Sequence, residues 1–220
     1  MTGFEPMSTD IITIILGGLN GNCYLLRTKN GFVLIDTGGK SKRKKLEQAL
    51  VTGGCNPGNL KVIILTHGDF DHSGNSAYLR EKYHTKIAMH HHDIGMVEHG
   101  DMFWNRQKGS AIIKKFINVT INIKRFTPDI ELDEHSNLSC YGLNAQVLYL
   151  PGHSKGSIGI LTSDKILFCG DLFTNRKKPE LNSLVDNEDD FKESIKKVKS
   201  FDINMVYPGH GNPFHMSSFE

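Results

Sequence analysis

A seven-residue stretch that follows a buried strand decides the fold of this chain. It reads Thr66-His67-Gly68-Asp69-Phe70-Asp71-His72. The residues before it, 61–65, form a short, largely continuous apolar run, which is typical of a strand covered on both faces. Because functional residues just past a buried strand are common in layered α/β sheets, the stretch predicts an α/β fold with a site at one sheet edge.

Strand and helix patterns alternate on both sides of this stretch. Strands are predicted at 11–16, 22–27, 32–35, 61–65, 86–89, 143–150, 159–162, 166–169 and 205–207. Helical spacing predicts helices over 40–51, 75–83 and 188–199. The strands fall into an early and a late group, so two sheets are expected. No repeat or linker divides residues 1–220, which are expected to form one domain.

Composition and charge restrict the possible partners. The chain is 38% hydrophobic and 23% charged with a formal charge of +2, which is too balanced to indicate nucleic acid or an anionic membrane as a partner. No apolar run approaches the ~20 residues of a membrane span, and residues 1–10 lack the regions of a signal peptide. We therefore expect a cytoplasmic protein whose partners include neither nucleic acid nor membrane; its small-molecule substrate is inferred from the site residues, and its oligomeric state stays open.

Histidines and aspartates gather at four places, each after a predicted strand. They are His67, Asp69, Asp71 and His72, then His153, Asp171 and His210. Imidazole and carboxylate are the usual protein ligands of zinc, iron and manganese. Seven candidates exceed the three side chains that one catalytic zinc needs, so the set predicts two metal ions. Any one of these residues alone would be interpreted as a solvated loop side chain, so the prediction depends on the whole set.

The spacing divides the candidates between the two ions. Positions 67 and 69 can face one way, while 71 and 72 face another after a bend into a helix. We assign His67, Asp69 and His153 to one ion, Asp71, His72 and His210 to the second, and Asp171 to both as a bridge. The compact H-x-D-x-D-H order makes this the most specific signal in the sequence.

In this order the candidate ligands resemble the metallo-β-lactamase superfamily. The match begins at Asp36, after the strand 32–35, and runs through 67–72, His153 and Asp171 to His210. The resemblance implies an αββα four-layer sandwich, two sheets back to back with helices outside, and a dinuclear site at one edge. It also implies that Asp36 orients a ligand without binding metal itself.

Position 69 departs from the common T-H-x-H-x-D-H pattern of that superfamily, because Asp69 stands where the second histidine is usual. Three carboxylates and a bridging hydroxide would neutralise two divalent ions, and a more neutral site favours harder ions. Zinc is the first expectation for the metal, and the carboxylate of Asp69 adds iron or manganese as alternatives.

A pair of cations that share an activated water implies hydrolysis, with Asp71 or Asp171 moving the water proton. Within the resemblance, the chain is most similar to small glyoxalase II-like and lactonase-like hydrolases of esters, thioesters or lactones. A diiron redox or oxygen-handling protein and a phosphodiesterase are the alternatives. Ten residues follow His210, fewer than the C-terminal helical domain of true glyoxalase II needs, which weakens the case for a glutathione thioester.

Other features carry weaker expectations. Residues 94–125, with Met102, Phe103 and Trp104, are expected to form either a helical lid over the site or plain helix packing. The tract 90–92 consists of three histidines and is expected to form either an auxiliary metal site or a strand-end loop with one or two solvent-facing rings. The four cysteines, Cys23, Cys55, Cys140 and Cys169, contain no C-x-x-C pair and are expected to be buried free thiols.

Overall fold

The first of two six-stranded sheets combines an antiparallel and a parallel half. A computed structural model describes residues 10–106 and 124–219. The strands, in spatial order, are β1 (Asp10–Ile14), β2 (Cys23–Thr28), β3 (Gly31–Ile35), β4 (Leu60–Ile64), β5 (Lys86–His90) and β6 (Ile130–Leu132). β1 to β3 pair antiparallel, and β3 to β6 pair parallel. Parallel neighbours need crossover connections, which here contain helices.

The helices of this half are α1 (Arg43–Thr52), α2 (Phe70–Ser73), α3 (Ser76–Tyr83) and α4 (Ile94–His99). The second sheet contains β7 (Ala145–Tyr149), β8 (Ile158–Thr162), β9 (Ile166–Asn175), β10 (Glu180–Leu181), β11 (Met205–Gly211) and β12 (Phe214–His215). Its order is β12-β11-β9-β8-β7, with β10 paired to β9. β9 and β11 run parallel and are joined through helix α5 (Glu188–Lys199). Their carboxyl ends therefore reach the same edge of the sheet.

Three apolar clusters show how the layers stack. The middle cluster joins the inner faces of the two sheets and includes Tyr24, Ile35, Ile64, Val147, Ile160 and Phe168. A second cluster packs Leu46, Leu50 and Leu79 of α1 and α3 against the outer face of the first sheet. A third packs Phe191 and Val198 of α5 against the second sheet. The chain is thus an αββα sandwich, which confirms the predicted fold class.

Helix α5 shows how the sequence of one segment can be enough to predict a helix and its ends. Asn187 caps the helix by accepting from the backbone N–H groups of Asp189 and Asp190. Acidic residues fill the first turn and lysines the last, which complements the helix dipole. The helix buries Phe191 and Val198 on one face. Its bounds agree with the predicted helix over 188–199.

Two predicted strand ends were wrong near the site. The strands expected at 166–169 and 205–207 continue to Asn175 and Gly211, so Asp171 and His210 lie within strands. The register between β9 and β11 shifts around Pro208, and Gly170 adopts a φ of 51°. A bulge of this kind lets a strand continue while it turns a side chain in a new direction.

The structure also bears on the expectations for the cysteines and for the lid region. Cys23, Cys55 and Cys169 are buried, but Cys140 is exposed in a turn and corrects the expectation of four buried thiols. Of the lid region, residues 94–99 are helical and 102–105 form turns, whereas 107–123 lie outside the described residues.

In the described parts of the chain, no helix combines the length and apolarity that a membrane crossing requires.

Candidate metal centre

All seven predicted ligand side chains converge at one edge of the sandwich. His67 and Asp69 lie in the loop after β4, Asp71 and His72 on helix α2, His153 in the loop after β7, Asp171 in β9 and His210 in β11. Strands of both sheets therefore hold the set in place. Residues separated by more than a hundred positions meet there because the carboxyl ends of the parallel strands share this edge.

The first cluster consists of His67, Asp69 and His153. Asp69 Oδ2 lies 3.5 Å from His67 Nε2 and 3.1 Å from His153 Nε2. All three side chains are buried, with 1% of His67, 7% of Asp69 and 4% of His153 exposed. Asp69 thus lies between the two imidazoles, and Asp171 also lies within 4.8 Å of a ligand nitrogen of each of them.

The second cluster consists of Asp71, His72 and His210. Asp71 Oδ2 lies 3.3 Å from His210 Nε2 and 3.7 Å from His72 Nε2. One ligand atom from each residue lies within 4.8 Å of the other two. Asp71 is the most exposed of the seven side chains, at 13%. The second cluster is therefore the half of the centre with more access to solvent.

Asp171 lies between the two clusters. Its Oδ1 is 3.3 Å from His72 Nε2, and its Oδ2 is 3.5 Å from His210 Nε2 and 3.8 Å from His153 Nε2. One carboxylate thus faces histidines of both clusters. This is the placement that a bridging ligand needs.

Asp36 fixes the orientation of two histidines. Its carboxylate accepts from His72 Nδ1 at 2.8 Å and from Thr66 Oγ1 at 2.7 Å. Since the Thr66 hydroxyl gives its proton to Asp36, it accepts from His67 Nδ1 at 3.0 Å. When neutral, both imidazoles therefore carry their lone pair on Nε2, the nitrogen that faces the centre. Asp36 has a φ of 57°, an uncommon conformation that aspartate tolerates better than most residues.

The other two histidines differ from each other. His153 Nδ1 lies 2.6 Å from the carbonyl oxygen of Leu184, which can only accept, so Nε2 again carries the lone pair. His210 Nδ1 instead lies 3.0 Å from Arg176 Nη2, which can only donate. Its Nδ1 is therefore an acceptor, and its proton lies on Nε2 when the ring is neutral. His210 must change tautomer to present a lone pair to the centre.

Buried polar atoms that lack a hydrogen-bond partner indicate whether metal ions fit this donor set. In the described ranges these atoms include His67 Nε2, His72 Nε2, Asp69 Oδ1 and Asp171 Oδ1. Each such atom costs about 1–3 kcal/mol when nothing satisfies it. All four belong to the two clusters or to the carboxylate between them. Nitrogen and carboxylate donors directed at a common space fit divalent cations.

The electrostatics of the centre also favour positive charge. Burial opposes charge on His72, but Asp171 and Asp36 outweigh it and raise the pKa of this imidazole well above its ordinary value. Burial likewise opposes charge on Asp171, yet His72 and His210 hold the pKa of its carboxyl well below the usual range. The surrounding carboxylates therefore stabilise cations, whether these are protons on imidazole or metal ions.

Arg106 is a functional candidate that the sequence did not reveal. Its Nη2 donates to Asp69 Oδ2 at 2.8 Å and lies 3.4 Å from His153 Nε2. The arginine reaches the first cluster from the segment after α4. An arginine in an irregular segment carries no spacing signal, so only the folded structure reveals this contact.

A cleft of about 370 Å³ opens beside the first cluster. It is lined by Phe103, Arg106, His153, Ser183, Leu184, Val185 and Asp186. Apolar side chains form one part of the wall, and Arg106 and Asp186 add opposite charges. The volume suits a small molecule with an apolar portion.

Comparison with known proteins agrees with this geometry. The family model described as "Metallo-beta-lactamase superfamily" matches residues 16–210. The chain belongs to the metallo-β-lactamase superfamily. Membership in this superfamily implies divalent metal ions at the centre, and the chain is a metallohydrolase of this fold.

Relatives in the superfamily include hydrolases with assigned names. A hydroxyacylglutathione hydrolase, GloC, of Haemophilus influenzae is 28% identical over 76% of this chain and 72% of its own length. An acyl-coenzyme A thioesterase, MBLAC2, of Bos taurus is 25% identical over 90% of this chain and 75% of its own. The crystal structure of TTHA1623 in a di-iron-bound form covers 94% of this chain and 95% of that one, with a TM-score of 0.74 and 27% identity.

The histidine tract 90–92 forms a group apart from the seven residues. His90 is buried, His91 is exposed and His92 is half-buried. One nitrogen of each ring lies within 4.8 Å of the others, and His92 Nδ1 lies 3.0 Å from the Tyr149 hydroxyl. Exposed His91 and half-buried His92 agree with the expected one or two solvent-facing rings, whereas His90 is buried.

Proposed function

We propose that this chain hydrolyses a carboxylic thioester, ester or lactone at a dinuclear metal centre. One observation carries the proposal: histidine Nε2 atoms and carboxylate oxygens from both sheets face one another while they are buried. His67, Asp69 and His153 would hold one ion, Asp71, His72 and His210 the other, and Asp171 both. Two such ions, when bound, supply a nucleophilic hydroxide near neutral pH and polarise a carbonyl oxygen.

The two candidate acid–base carboxylates have different environments. Asp171 is 6% exposed, and neighbouring histidines hold the pKa of its carboxyl well below the usual range. It therefore stays ionised and is suited to holding cations. Asp71 is 13% exposed and faces His210. We assign to Asp71 the transfer of the proton from the attacking water to the leaving group.

The cleft beside His153 supports a carbonyl substrate with an apolar portion. Phe103, Leu184 and Val185 offer apolar contacts, and Arg106 offers hydrogen-bond donors near the reacting end. Relatives named as a hydroxyacylglutathione hydrolase and as acyl-coenzyme A thioesterases favour the thioester among the three substrate classes.

Metal analysis and a substrate panel on one preparation test the proposal. Protein purified without added metal is analysed for zinc, iron and manganese, then assayed on an S-acyl thioester, a p-nitrophenyl ester, a lactone and bis-p-nitrophenyl phosphate. We expect about two metal ions per chain and the highest kcat/KM on a carbonyl substrate.

Variants separate the centre from the rest of the protein. Asp71→Asn should lower turnover by orders of magnitude, whereas Asp202→Asn, the same change at an exposed carboxylate paired with Lys165, serves as the matched control. Near-normal turnover in Asp71→Asn, or activity confined to the phosphodiester, would contradict the proposed reaction.

A redox role with iron is a second candidate, because the solved relative TTHA1623 holds two irons and Asp69 adds a hard ligand. Protein as isolated would then show visible absorption that bleaches on reduction, and no turnover of the ester panel. Zinc remains the first expectation for the metal. The single domain over 1–220, the lid at 94–125 and the cytoplasmic location stay predictions.

A further inference from the structure

We propose that Asp93 is the positioning residue of the first cluster: it joins the two loops that carry His67, Asp69 and His153. The inference rests on the proposed function only in that these three residues bind an ion. Asp93 is the last residue of the 3-10 turn 91–93 and directly precedes helix α4, and its side chain is fully buried. It is not one of the seven predicted ligands.

The first contact reaches the loop after β4. Asp93 Oδ2 accepts from the backbone N–H of Gly68 at 3.0 Å. Gly68 lies between His67 and Asp69, so this bond fixes the backbone from which both side chains project. A shift of this amide would move two members of the first cluster together.

Two further contacts reach the loop after β7. The Ser154 hydroxyl donates to Asp93 Oδ2 at 2.6 Å, and the Gly156 N–H donates to Oδ1 at 2.7 Å. Ser154 directly follows His153 in the chain. One carboxylate therefore bonds both loops of the first cluster, which come from different sheets.

A fourth contact reaches the segment that carries Arg106. Asn105 Nδ2 donates to Asp93 Oδ1 at 2.8 Å. The neighbouring Arg106 contacts Asp69 and lines the cleft. The position of this arginine therefore depends on the same carboxylate.

Only a carboxylate suits this position. Four donors converge on the two oxygens of Asp93, and a carboxylate offers acceptors alone. An asparagine would turn one oxygen into an NH₂ group that faces N–H or O–H donors. Buried donors would then lose their partner, so the loops should separate or shift.

Gly156 provides an independent way to disturb Asp93. A Cβ at position 156 would lie 2.6 Å from Asp93 Cγ and 2.6 Å from its backbone nitrogen. Gly156→Ala therefore displaces Asp93 and keeps its charge. If Asp93 acts by holding the loops, the two variants should produce the same defect.

Titration of metal-free protein with Co²⁺, followed by its visible spectrum, measures the defect. In Asp93→Asn and Gly156→Ala, one of two Co²⁺ equivalents should bind about 10- to 100-fold more weakly, while the other changes little. Asp129→Asn is the matched control, since Asp129 directly precedes β6 and its carboxylate accepts from the Ile87 N–H of β5 at 2.8 Å. The control should bind both equivalents normally.

Hydrogen exchange of metal-free protein tests the inference independently of the proposed function. Amides of 66–70 and 152–157 should exchange faster in Asp93→Asn, and those of 205–211 should not. Faster exchange with unaltered Co²⁺ binding would refute the role of Asp93 in positioning ligands. Equal weakening of both Co²⁺ equivalents, or the same result in Asp129→Asn, would overturn it as well. If wild-type protein bound no Co²⁺, the proposed function would fail, while exchange would still report on the contacts.

Discussion

The two halves of the centre are supported in different ways. In the second cluster, Asp36 bonds the imidazole of His72 directly, at 2.8 Å. In the first cluster, Asp93 bonds backbone and hydroxyl groups beside the predicted ligands and touches none of those side chains. Direct support sets the tautomer of one histidine, whereas indirect support sets the distance between two loops. We therefore expect the same chemical change, Asp to Asn, to weaken the two halves for different reasons.

Each half also has one arginine, and their environments differ. Arg106 lies beside Asp69 with 12% of its side chain exposed, and Arg176 lies beside His210 at an exposed position. Burial opposes charge on Arg106, but Asp69 outweighs it and raises the pKa of the guanidinium. Arg106 therefore stays charged next to the first cluster, where water screens it poorly.

The largest loss of metal binding and turnover is expected from substitution of Asp171, which lies between the two clusters. Asp171→Asn replaces the one carboxylate that faces histidines of both clusters. Because its negative charge favours cations in both halves, binding of both metal equivalents should weaken, and turnover should fall by several orders of magnitude. Metal content by elemental analysis and kcat on the best substrate would show this.

Asp202→Asn is a control for Asp171→Asn, since Asp202 forms only an exposed ion pair with Lys165 among the described contacts. A loss of one equivalent alone in Asp171→Asn would mean that Asp171 belongs to one half. The division of the centre would then need redrawing.

An intermediate effect is expected from Asp36→Asn. Asparagine tolerates the left-handed backbone at this position, so the loop should keep its shape. The change removes an acceptor of the His72 Nδ1 proton, and His72 can then present Nε2–H to the centre. The metal ion of the second cluster should bind about 10- to 100-fold more weakly. The affinity of the first cluster for its ion should fall less, because His67 depends on Asp36 only through Thr66.

Competitive chelator titration of both equivalents measures the Asp36→Asn effect. Circular dichroism of the metal-free variant provides the control for folding. Greater weakening of the ion of the first cluster than of the second would show that Asp36 supports His67 more strongly than His72.

The convergence of the seven side chains could be predicted because each follows a strand pattern and because histidine or aspartate recurs at all four places. Their supports were less predictable. Asp36 was expected only through the resemblance, and Asp93 and Arg106 were missed, since a single acid or base in a turn has no periodicity. The strand ends at Asn175 and Gly211 were missed because a bulge at Gly170 depends on pairing between distant strands.

The smallest change in metal affinity is expected from substitution of the two arginines, Arg106 in the first half and Arg176 in the second. Arg106→Met removes a guanidinium 2.8 Å from Asp69 Oδ2, so a cation no longer opposes the ion of the first cluster. The first equivalent should bind roughly threefold to tenfold more tightly. Arg176→Met should change the second by less than about threefold, because solvent screens this exposed arginine. Isothermal titration with Zn²⁺ at low and high salt distinguishes the two effects, since only a screened interaction fades strongly with salt. Weaker binding in Arg106→Met would instead show that the arginine helps to hold Asp69 in its ligand position.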